Sequence, residues 1–205
     1  AFCALHAEGL GVIDVGCRDG LHPMFRDVAP LLEVIGFEPD PEEGDRLQSA
    51  STPGWGFRSL KYLMCALGAH DSQGMLHVCR SRGASSCYQP NRAFLDRFPD
   101  AERFDVVTSI PVPVRSLDSL TADPTMRLPP HLDFIKIDTQ GAELDILRGA
   151  KQVLEHRLVA VEVEVEFAPL YVSQPVFRDV DAFLAACGFR LFKLRRQEWV
   201  RTHYA

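Results

Sequence analysis

The sequence predicts an α/β fold with a mostly parallel β-sheet and helices on both of its faces. Two stretches predict this fold, because each is a buried strand that ends in an acidic residue and then turns through glycine into a helix: residues 11–20 (GVIDVGCRDG) and 133–143 (DFIKIDTQGAE). A third acidic strand end, Glu38, follows Asp14 by about two dozen residues, near the spacing of a carboxylate that binds ribose hydroxyls. The carboxyl ends of parallel strands meet in one crevice, so we expect a nucleoside to bind there.

The first part of the chain alternates between strand and helix patterns. Short apolar runs bounded by glycine or proline turns indicate strands, and Pro23 and Pro41 suit the first turns of helices. Such alternation is typical of a parallel sheet crossed by helices. The predicted elements are a strand at 10–15, a helix at 21–32, a strand at 33–37, a helix at 41–50 and a strand at 57–66.

The alternation stops between residues 70 and 120, where we predict an inserted hairpin and loop region over the sheet. Residues 71–74 favour a hairpin turn, and the flanking prolines keep 112–114 extended. The predicted elements are a strand at 75–79, a polar loop at 81–86, a short helix at 91–98 and an extended segment at 112–114.

The sheet pattern resumes after the insertion. Apolar side chains share one face of 142–156, as in a helix packed on a sheet, and Gly188 suits the end of the last helix. The last apolar segments predict a C-terminal antiparallel hairpin. The predicted elements are a strand at 134–138, a helix at 142–156, a strand at 158–167, a helix at 176–186 and a hairpin of 189–194 with 198–203.

Length and composition narrow the class of protein. The 205 residues fit a single domain, 1–205, with one core. The net charge is −6 and the basic segment at 193–196 is short, so nucleic acid is not an expected partner. No apolar run approaches about 18 residues, no signal-peptide pattern is present, and the six cysteines form no Cys-x-x-Cys pair. We expect a cytoplasmic protein with reduced thiols and no membrane partner.

The loop after the first strand indicates which nucleoside-containing cofactor the protein binds. A dinucleotide fingerprint needs Gly-x-Gly-x-x-Gly so that the backbone approaches a pyrophosphate. Here Arg18 stands at the middle glycine, and Asp14 and Asp19 add negative charge. S-adenosyl-L-methionine carries a sulfonium, an ammonium and one carboxylate but no phosphate, so it suits this loop better. It is the predicted cofactor, with a dinucleotide as the alternative.

Ordered sequence blocks also carry a family resemblance; they are 13–20 (IDVGCRDG), 36–39 (GFEP), 115–120 (RSLDSL), 134–143 (FIKIDTQGAE) and 147–150 (LRGA). In these blocks the chain resembles the FkbM-type methyltransferases, a family of S-adenosylmethionine-dependent O-methyltransferases. The resemblance implies the class I methyltransferase (Rossmann-like) fold. Thr139 and Gln140 stand where the family often has Val-Glu, so a catalytic carboxylate at position 140 is absent.

The predicted cofactor site combines the strand ends with the insertion. Glu38 ends a buried strand, where its carboxylate must be satisfied, and two vicinal hydroxyls can do so. The resemblance implies that Ala66 and Leu67 contact the adenine, with ordinary core packing as the alternative. Ser85 and Ser86 are candidate hydrogen-bond donors, although loop serines are usually only solvated. The candidate cofactor-binding residues are Asp14, Gly16, Arg18, Gly20, Glu38, Ala66, Leu67, Ser86 and Asp138.

Asp138 ends the central strand, where cofactor and acceptor are expected to meet. It is a candidate to orient the methyl group, to accept the acceptor's hydroxyl proton or to bind a divalent ion. The alternative is that it caps the helix beginning near Gln140. Glu143, in the first turn of that helix, is explained by the helix dipole as well as by a site role.

Strict alternation at 159–167 places three glutamates on one strand face. This pattern invites a metal interpretation, but a central parallel strand is covered on both faces, so at least one glutamate should face the crevice or an arginine. No histidine spacing indicates a metal site; no metal ligand is assigned, and a divalent ion is left open. The predicted catalytic residues are Asp138 and Glu162, and the predicted acceptor-binding residues are Glu164, Tyr171 and Gln174.

The predicted reaction is O-methylation of a hydroxyl on a sugar or a secondary metabolite. Methyl transfer is an in-line displacement that requires alignment, and a weakly nucleophilic alcohol requires a nearby base. The expected partner is a small-molecule or glycan acceptor, selected by residues 70–86 and the region of Tyr171, and the oligomeric state is undetermined. The alternatives are a nicotinamide-dependent oxidoreductase and a nucleoside-binding subunit without activity.

Overall fold

The computed structural model describes residues 9–49, 54–126 and 128–196. It contains a five-stranded parallel sheet and a separate three-stranded sheet. This arrangement confirms the predicted α/β class with a mostly parallel sheet. The strands are β1 (Leu10–Val15), β2 (Leu32–Phe37), β3 (Ser59–Leu63), β4 (Ala66–Leu67), β5 (Ser72–Cys79), β6 (Val106–Arg115), β7 (Phe134–Ile137) and β8 (Ala160–Val163).

The helices follow the predicted alternation. The α-helices are α1 (Pro41–Ser49), α2 (Arg92–Leu95), α3 (Leu117–Ala122), α4 (Glu143–Arg148), α5 (Lys151–His156) and α6 (Phe177–Ala186). The 3-10 helices are Pro23–Leu31, Arg82–Ala84, Ala101–Phe104 and Pro124–Met126. No helix in the described part of the chain is both long enough and apolar enough to cross a membrane.

The order of strands in the main sheet fixes the position of the site. The order is β3-β2-β1-β7-β8, so the chain winds outward from β1 in one direction and later from β7 in the other. The crevice between the carboxyl ends of β1 and β7 is therefore the switch point where such sheets bind ligands. The register sets Asp14 of β1 beside Lys136 of β7, with both side chains on the same face.

Both faces of the main sheet are covered, as parallel strands require. One face, with Ile13, Ile35 and Ile135, packs against residues of α3 to α6. The other face is apolar towards the amino ends of the strands, where it packs against Phe25 and Leu47. Only towards the carboxyl ends does this second face become charged, so the charged residues collect at one edge.

The insertion forms a second sheet in the order β4-β6-β5. The predicted third strand at 57–66 is divided, because β3 ends at Leu63 and the next strand pairs with β6 instead. The partner of β5 is the distant β6, and their antiparallel pairing has an irregularity between Val78 and Cys79. The insertion thus forms a three-stranded sheet, and the hairpin turn predicted at 71–74 is wrong, because residues 72–74 belong to β5.

Two predicted helices have different forms. The segment predicted as a helix at 21–32 forms the 3-10 helix Pro23–Leu31. Pro30 within it has no N–H for an α-helical hydrogen bond. The predicted helix at 142–156 is interrupted between α4 and α5. A Cβ atom at Gly149 would lie 2.0 Å from the carbonyl oxygen of Gly68, so the insertion approaches the helix where only glycine fits.

The C-terminal hairpin is not confirmed. Residues 189–196 contain no strand, and 198–203 lie outside the described residues. The strand predicted at 158–167 is also shorter. Its neighbour β7 ends at Ile137, whose carbonyl oxygen accepts a last bond from the amide of Glu164, so the following residues have no partner strand on that side.

Replacing Gly149 with alanine is expected to lower the free energy of unfolding by about 1–3 kcal/mol, because backbone must move to accommodate the added methyl group. Urea denaturation measures the effect. Gly54→Ala is the matched control, since a Cβ atom there meets nothing within 4 Å. Equal stability of the two variants would contradict the close approach.

Candidate active site

A cavity of about 240 Å³ opens at the carboxyl ends of β1, β2 and β7, beneath the insertion. It lies at the switch point of the sheet, where the acidic strand ends were predicted to meet. Among the predicted cofactor residues, Gly16, Arg18, Glu38, Ala66, Leu67, Ser86 and Asp138 line it. Asp14 lies beneath its floor, fully buried, and Gly20 follows in the same loop.

The loop after β1 is fixed against both neighbouring strands. The amides of Gly16 and Cys17 donate to the carbonyl oxygen of Phe37, at 3.0 and 3.2 Å. Gly16 has φ +80°, and a Cβ atom there would lie 1.9 Å from the carbonyl oxygen of Asp138. This position therefore requires glycine for its backbone conformation and for its close approach to the turn after β7.

Asp14, Lys136 and Asp138 form a charge row beneath and beside the cavity, in which Asp14 and Lys136 are buried and Asp138 is partly exposed. Lys136 Nζ lies 3.3 Å from Asp14 Oδ1 and 3.7 Å from Asp138 Oδ2. Asp14 Oδ2 accepts from the amide of His22 at 3.1 Å. Burial raises the pKa of Asp14, and Lys136 opposes that shift. The row links the loop after β1 to the end of β7 through one ammonium group.

Glu38 stands on the cavity wall with only 4% of its surface exposed. Its Oε1 accepts from the amide of Asp40 at 3.0 Å and lies 3.6 Å from Arg18. Arg18 is held more tightly by Asp40, at 2.6 Å. Burial raises the pKa of Glu38, whereas the Asp40 amide and Arg18 lower it. Glu38 and Asp138 thus line one cavity, as predicted, whereas Asp14 is fully buried and is not among the lining residues.

The cavity has an apolar side and a polar side. Ala66 and Leu67 are buried in β4 and line it together with Phe37 and Ile146. A flat apolar ring such as adenine suits this side. Ser86 is nearly fully buried, and its hydroxyl donates to the carbonyl oxygen of Gln140 at 2.7 Å, so it fastens the insertion to the turn after β7.

An acidic cluster follows Asp138 at the end of the central strands. The side-chain Nε2 of Gln140 donates to Asp138 Oδ1 at 3.1 Å and to Glu164 Oε2 at 2.7 Å. Burial raises the pKa of Glu164 strongly, and the neighbouring carboxylate of Asp138 raises it further. Ionisation of all the carboxyl groups of the cluster at once is therefore disfavoured.

None of the predicted acceptor-binding residues lines the cavity: Glu164 belongs to this cluster, and Tyr171 and Gln174 lie in the loop after β8. Tyr171 is fully buried, and its hydroxyl donates to the carbonyl oxygen of Ala84 at 2.9 Å. Gln174 accepts from the amides of Leu170 and Tyr171 and donates to Glu166 at 2.5 Å. Tyr171 therefore holds the loop after β8 against the insertion, and Gln174 forms hydrogen bonds within that loop.

Glu162, predicted to be catalytic, is directed elsewhere. It neighbours Lys136 in the sheet register, but its carboxylate lies 3.9 Å from Arg195 and does not line the cavity. The position at the edge strand β8 explains this, since the cavity is centred on β1 and β7. Across the described ranges, no group of three His, Cys, Asp or Glu side chains is arranged to hold a metal ion.

Sequence reasoning missed three residues at this site, namely Lys136, Gln140 and Arg82. A lysine within an apolar strand is a usable signal, because a buried ammonium needs a carboxylate partner. Arg82 lines the cavity from the insertion and lies 3.9 Å from Asp40. Neither its position nor the bridging role of Gln140 has a signal in the sequence, since both depend on how distant segments fold together.

Replacing Glu166 with glutamine is expected to reduce the pH dependence of stability. Burial raises the pKa of Glu166 from 4.5 to about 7, so the folded state binds more protons than the unfolded state between these values. The free energy of unfolding therefore falls as pH rises through this window, and the cost persists at higher pH.

Relative to the wild type, the free energy of unfolding of Glu166→Gln is expected to increase by about 2 kcal/mol as the pH rises from 4.5 to 8. Urea denaturation at a series of pH values measures this difference. Glu102→Gln, on an exposed 3-10 helix, is the matched control. If the two variants follow the same curve, Glu166 has an ordinary ionisation.

Comparisons with known proteins agree with this geometry. The profile of the methyltransferase FkbM domain matches residues 14–191. The chain is also similar to the 2-O-methyltransferase NoeI of Sinorhizobium fredii (strain NBRC 101917 / NGR234), with 26% identity over 151 residues, which is 70% of this chain and 58% of that protein. The chain thus spans less than two thirds of this relative. No solved structure matches significantly. Because the profile covers most of the chain and the whole cavity region, this chain belongs to the FkbM methyltransferase domain family.

Proposed function

We propose that this protein transfers the methyl group of S-adenosyl-L-methionine to a hydroxyl oxygen of a small-molecule or glycan acceptor. The observation that carries the proposal is the placement of a buried carboxylate, Glu38, and a strand-end carboxylate, Asp138, on the walls of one cavity at the switch point. Membership of a methyltransferase family supports methyl transfer as the reaction class.

The residues around the cavity fit this cofactor. The carboxylate of Glu38 suits two ribose hydroxyls, and the apolar side at Ala66 and Leu67 suits adenine. The acids Asp14 and Asp138 favour a cationic ligand near the end of β1. Arg18 and Arg82 are positive groups on the cavity wall, and they suit the single carboxylate of the cofactor. A diphosphate would meet the negative side chains of Asp19 and Glu38 instead.

When bound, the cofactor supplies an electrophilic methyl carbon attached to a sulfonium. The protein's part is to align the acceptor oxygen and to accept its proton. Asp138 is the proposed base, because its side chain is 39% exposed and it lines the cavity beside the loop after β1. Lys136 Nζ lies 3.7 Å from Asp138 Oδ2 and pairs with this carboxylate at the end of β7.

The acceptor is proposed to carry the hydroxyl of a sugar or a secondary metabolite. The similarity to a protein named as a 2-O-methyltransferase supports oxygen as the methylated atom. The insertion, which contributes Arg82, Ser85 and Ser86 to the cavity wall, is the proposed source of acceptor selectivity. Fold alone does not choose among such acceptors, because one fold supports many substrates.

Replacing Glu38 with glutamine is expected to weaken binding of S-adenosylhomocysteine about tenfold, since the amide keeps its shape but loses the charged acceptor for two hydroxyls. Isothermal titration calorimetry measures this change. Glu102→Gln is the control with the same change of charge. Tighter binding of NAD than of S-adenosylhomocysteine by the wild type would support an oxidoreductase instead.

Replacing Asp138 with asparagine is expected to lower kcat at least about 100-fold while S-adenosylhomocysteine affinity changes less than threefold, because only proton transfer is lost. The assay follows a radioactive methyl group from the cofactor to a panel of mono- and oligosaccharides. An unchanged kcat would exclude Asp138 as the base. Cofactor binding without transfer to any acceptor would favour a subunit without activity.

A further inference from the structure

We propose that Gln140 is a positioning residue, whose side-chain amide holds Asp138 in its reactive place by bridging it to Glu164. The inference rests on the proposed role of Asp138 as the base. The side chain of Gln140 is neither an acid nor a base in the reaction, since an amide neither accepts nor releases a proton at neutral pH. Its proposed role is therefore to position another group.

The turn that carries Gln140 is built independently of its side chain. Glu143 is buried, and its Oε1 accepts from the amide of Thr139, from the Thr139 hydroxyl and from the amide of Gly141, each at 3.0 Å. Ser86 holds the carbonyl oxygen of Gln140. Three of these hydrogen bonds hold backbone atoms of the turn, and none of the four uses the side chain of Gln140.

The backbone conformation of Gln140 is unfavourable for an ordinary residue. Its φ of +60° lies in the left-handed region, which non-glycine residues rarely adopt. Residues held in this way are often found at functional sites, where the surrounding structure imposes the conformation. Here the conformation directs the side chain back across the ends of β7 and β8, towards Asp138 and Glu164.

Both amide hydrogens of Gln140 have a carboxyl oxygen as acceptor. Nε2 lies 3.1 Å from Asp138 Oδ1 and 2.7 Å from Glu164 Oε2. Its Oε1 lies 3.3 Å from the hydroxyl of Tyr171, whose one hydrogen is given at shorter range to Ala84. The two carboxyl acceptors fix which end of the amide carries nitrogen. Rotation of Asp138 away from this position would break one bond of the bridge.

The charges around Asp138 make such a bridge necessary. Lys136 faces it from β7, and Glu164 and Glu166 from the segment after β8. Asp14 lies behind Lys136. Two carboxyl groups close to Asp138 would repel it if all were ionised. The Gln140 amide donates one hydrogen to Asp138 and one to Glu164, which offsets that repulsion.

Gln140→Asn tests the proposal. Asparagine tolerates the left-handed conformation but is one methylene shorter, so it keeps the turn and no longer reaches both carboxyl groups. We expect kcat to fall about 10- to 100-fold, because a misplaced catalytic group of this kind has effects of that size. S-adenosylhomocysteine affinity is expected to change less than threefold, and the melting temperature by less than about 3 °C.

Two further variants accompany it. Glu164→Leu removes the acceptor of the second amide hydrogen of Gln140, so it is expected to lower kcat as Gln140→Asn does. Gln89→Asn is the matched control, since that exposed glutamine of the insertion contacts His77 at 3.2 Å and does not line the cavity. Its kcat is expected to be unchanged.

The outcomes separate this inference from the function on which it rests. Loss of activity in Asp138→Asn with full activity in Gln140→Asn overturns the positioning role alone. Parallel loss of stability and cofactor binding in Gln140→Asn also overturns it, because the residue would then serve the fold. A crystal structure of Gln140→Asn with S-adenosylhomocysteine tests the role without an activity assay. A displaced Asp138 carboxylate supports the role, and an unmoved one refutes it.

Discussion

The close approach of two turns, one after β1 and one after β7, is the constraint on which the site depends. Pairing of these central strands brings Gly16 so near the carbonyl oxygen of Asp138 that no Cβ atom fits between them. Asp14 and Lys136 face each other in the same pairing. A slip of β7 by one residue would turn Lys136 to the opposite face, break this ion pair and separate the two turns.

The ion pair beneath the crevice has a cost and a use. Burying a carboxylate and an ammonium group is unfavourable unless the two form an ion pair, because both lose their hydration. Lys136 meets this requirement by lying between Asp14 and Asp138. One ammonium thus joins the loop expected to face the cofactor to the carboxylate expected to face the acceptor, so the two halves of the crevice are electrostatically coupled.

The insertion is part of the site and not an appendage. Its second sheet places Ala66 and Leu67 in the cavity wall. Ser86 ties it to the turn of Gln140, and Tyr171 ties the loop after β8 to it. The same bonds explain why Tyr171 is buried beneath the site, where a surface contact with the acceptor was expected.

The sequence alone determined the parallel order of elements, the glycine turns and the acidic strand ends, because these follow from local periodicity and backbone conformation. It also placed Glu38 and Asp138 at one crevice, since parallel strands end together. Tertiary structure decided the rest: the separation of β4 from β3, the break at Gly149, the outward position of Glu162 and the bridge made by Gln140. Each of these depends on contact between segments far apart in the chain, and such contacts do not follow from the local sequence pattern.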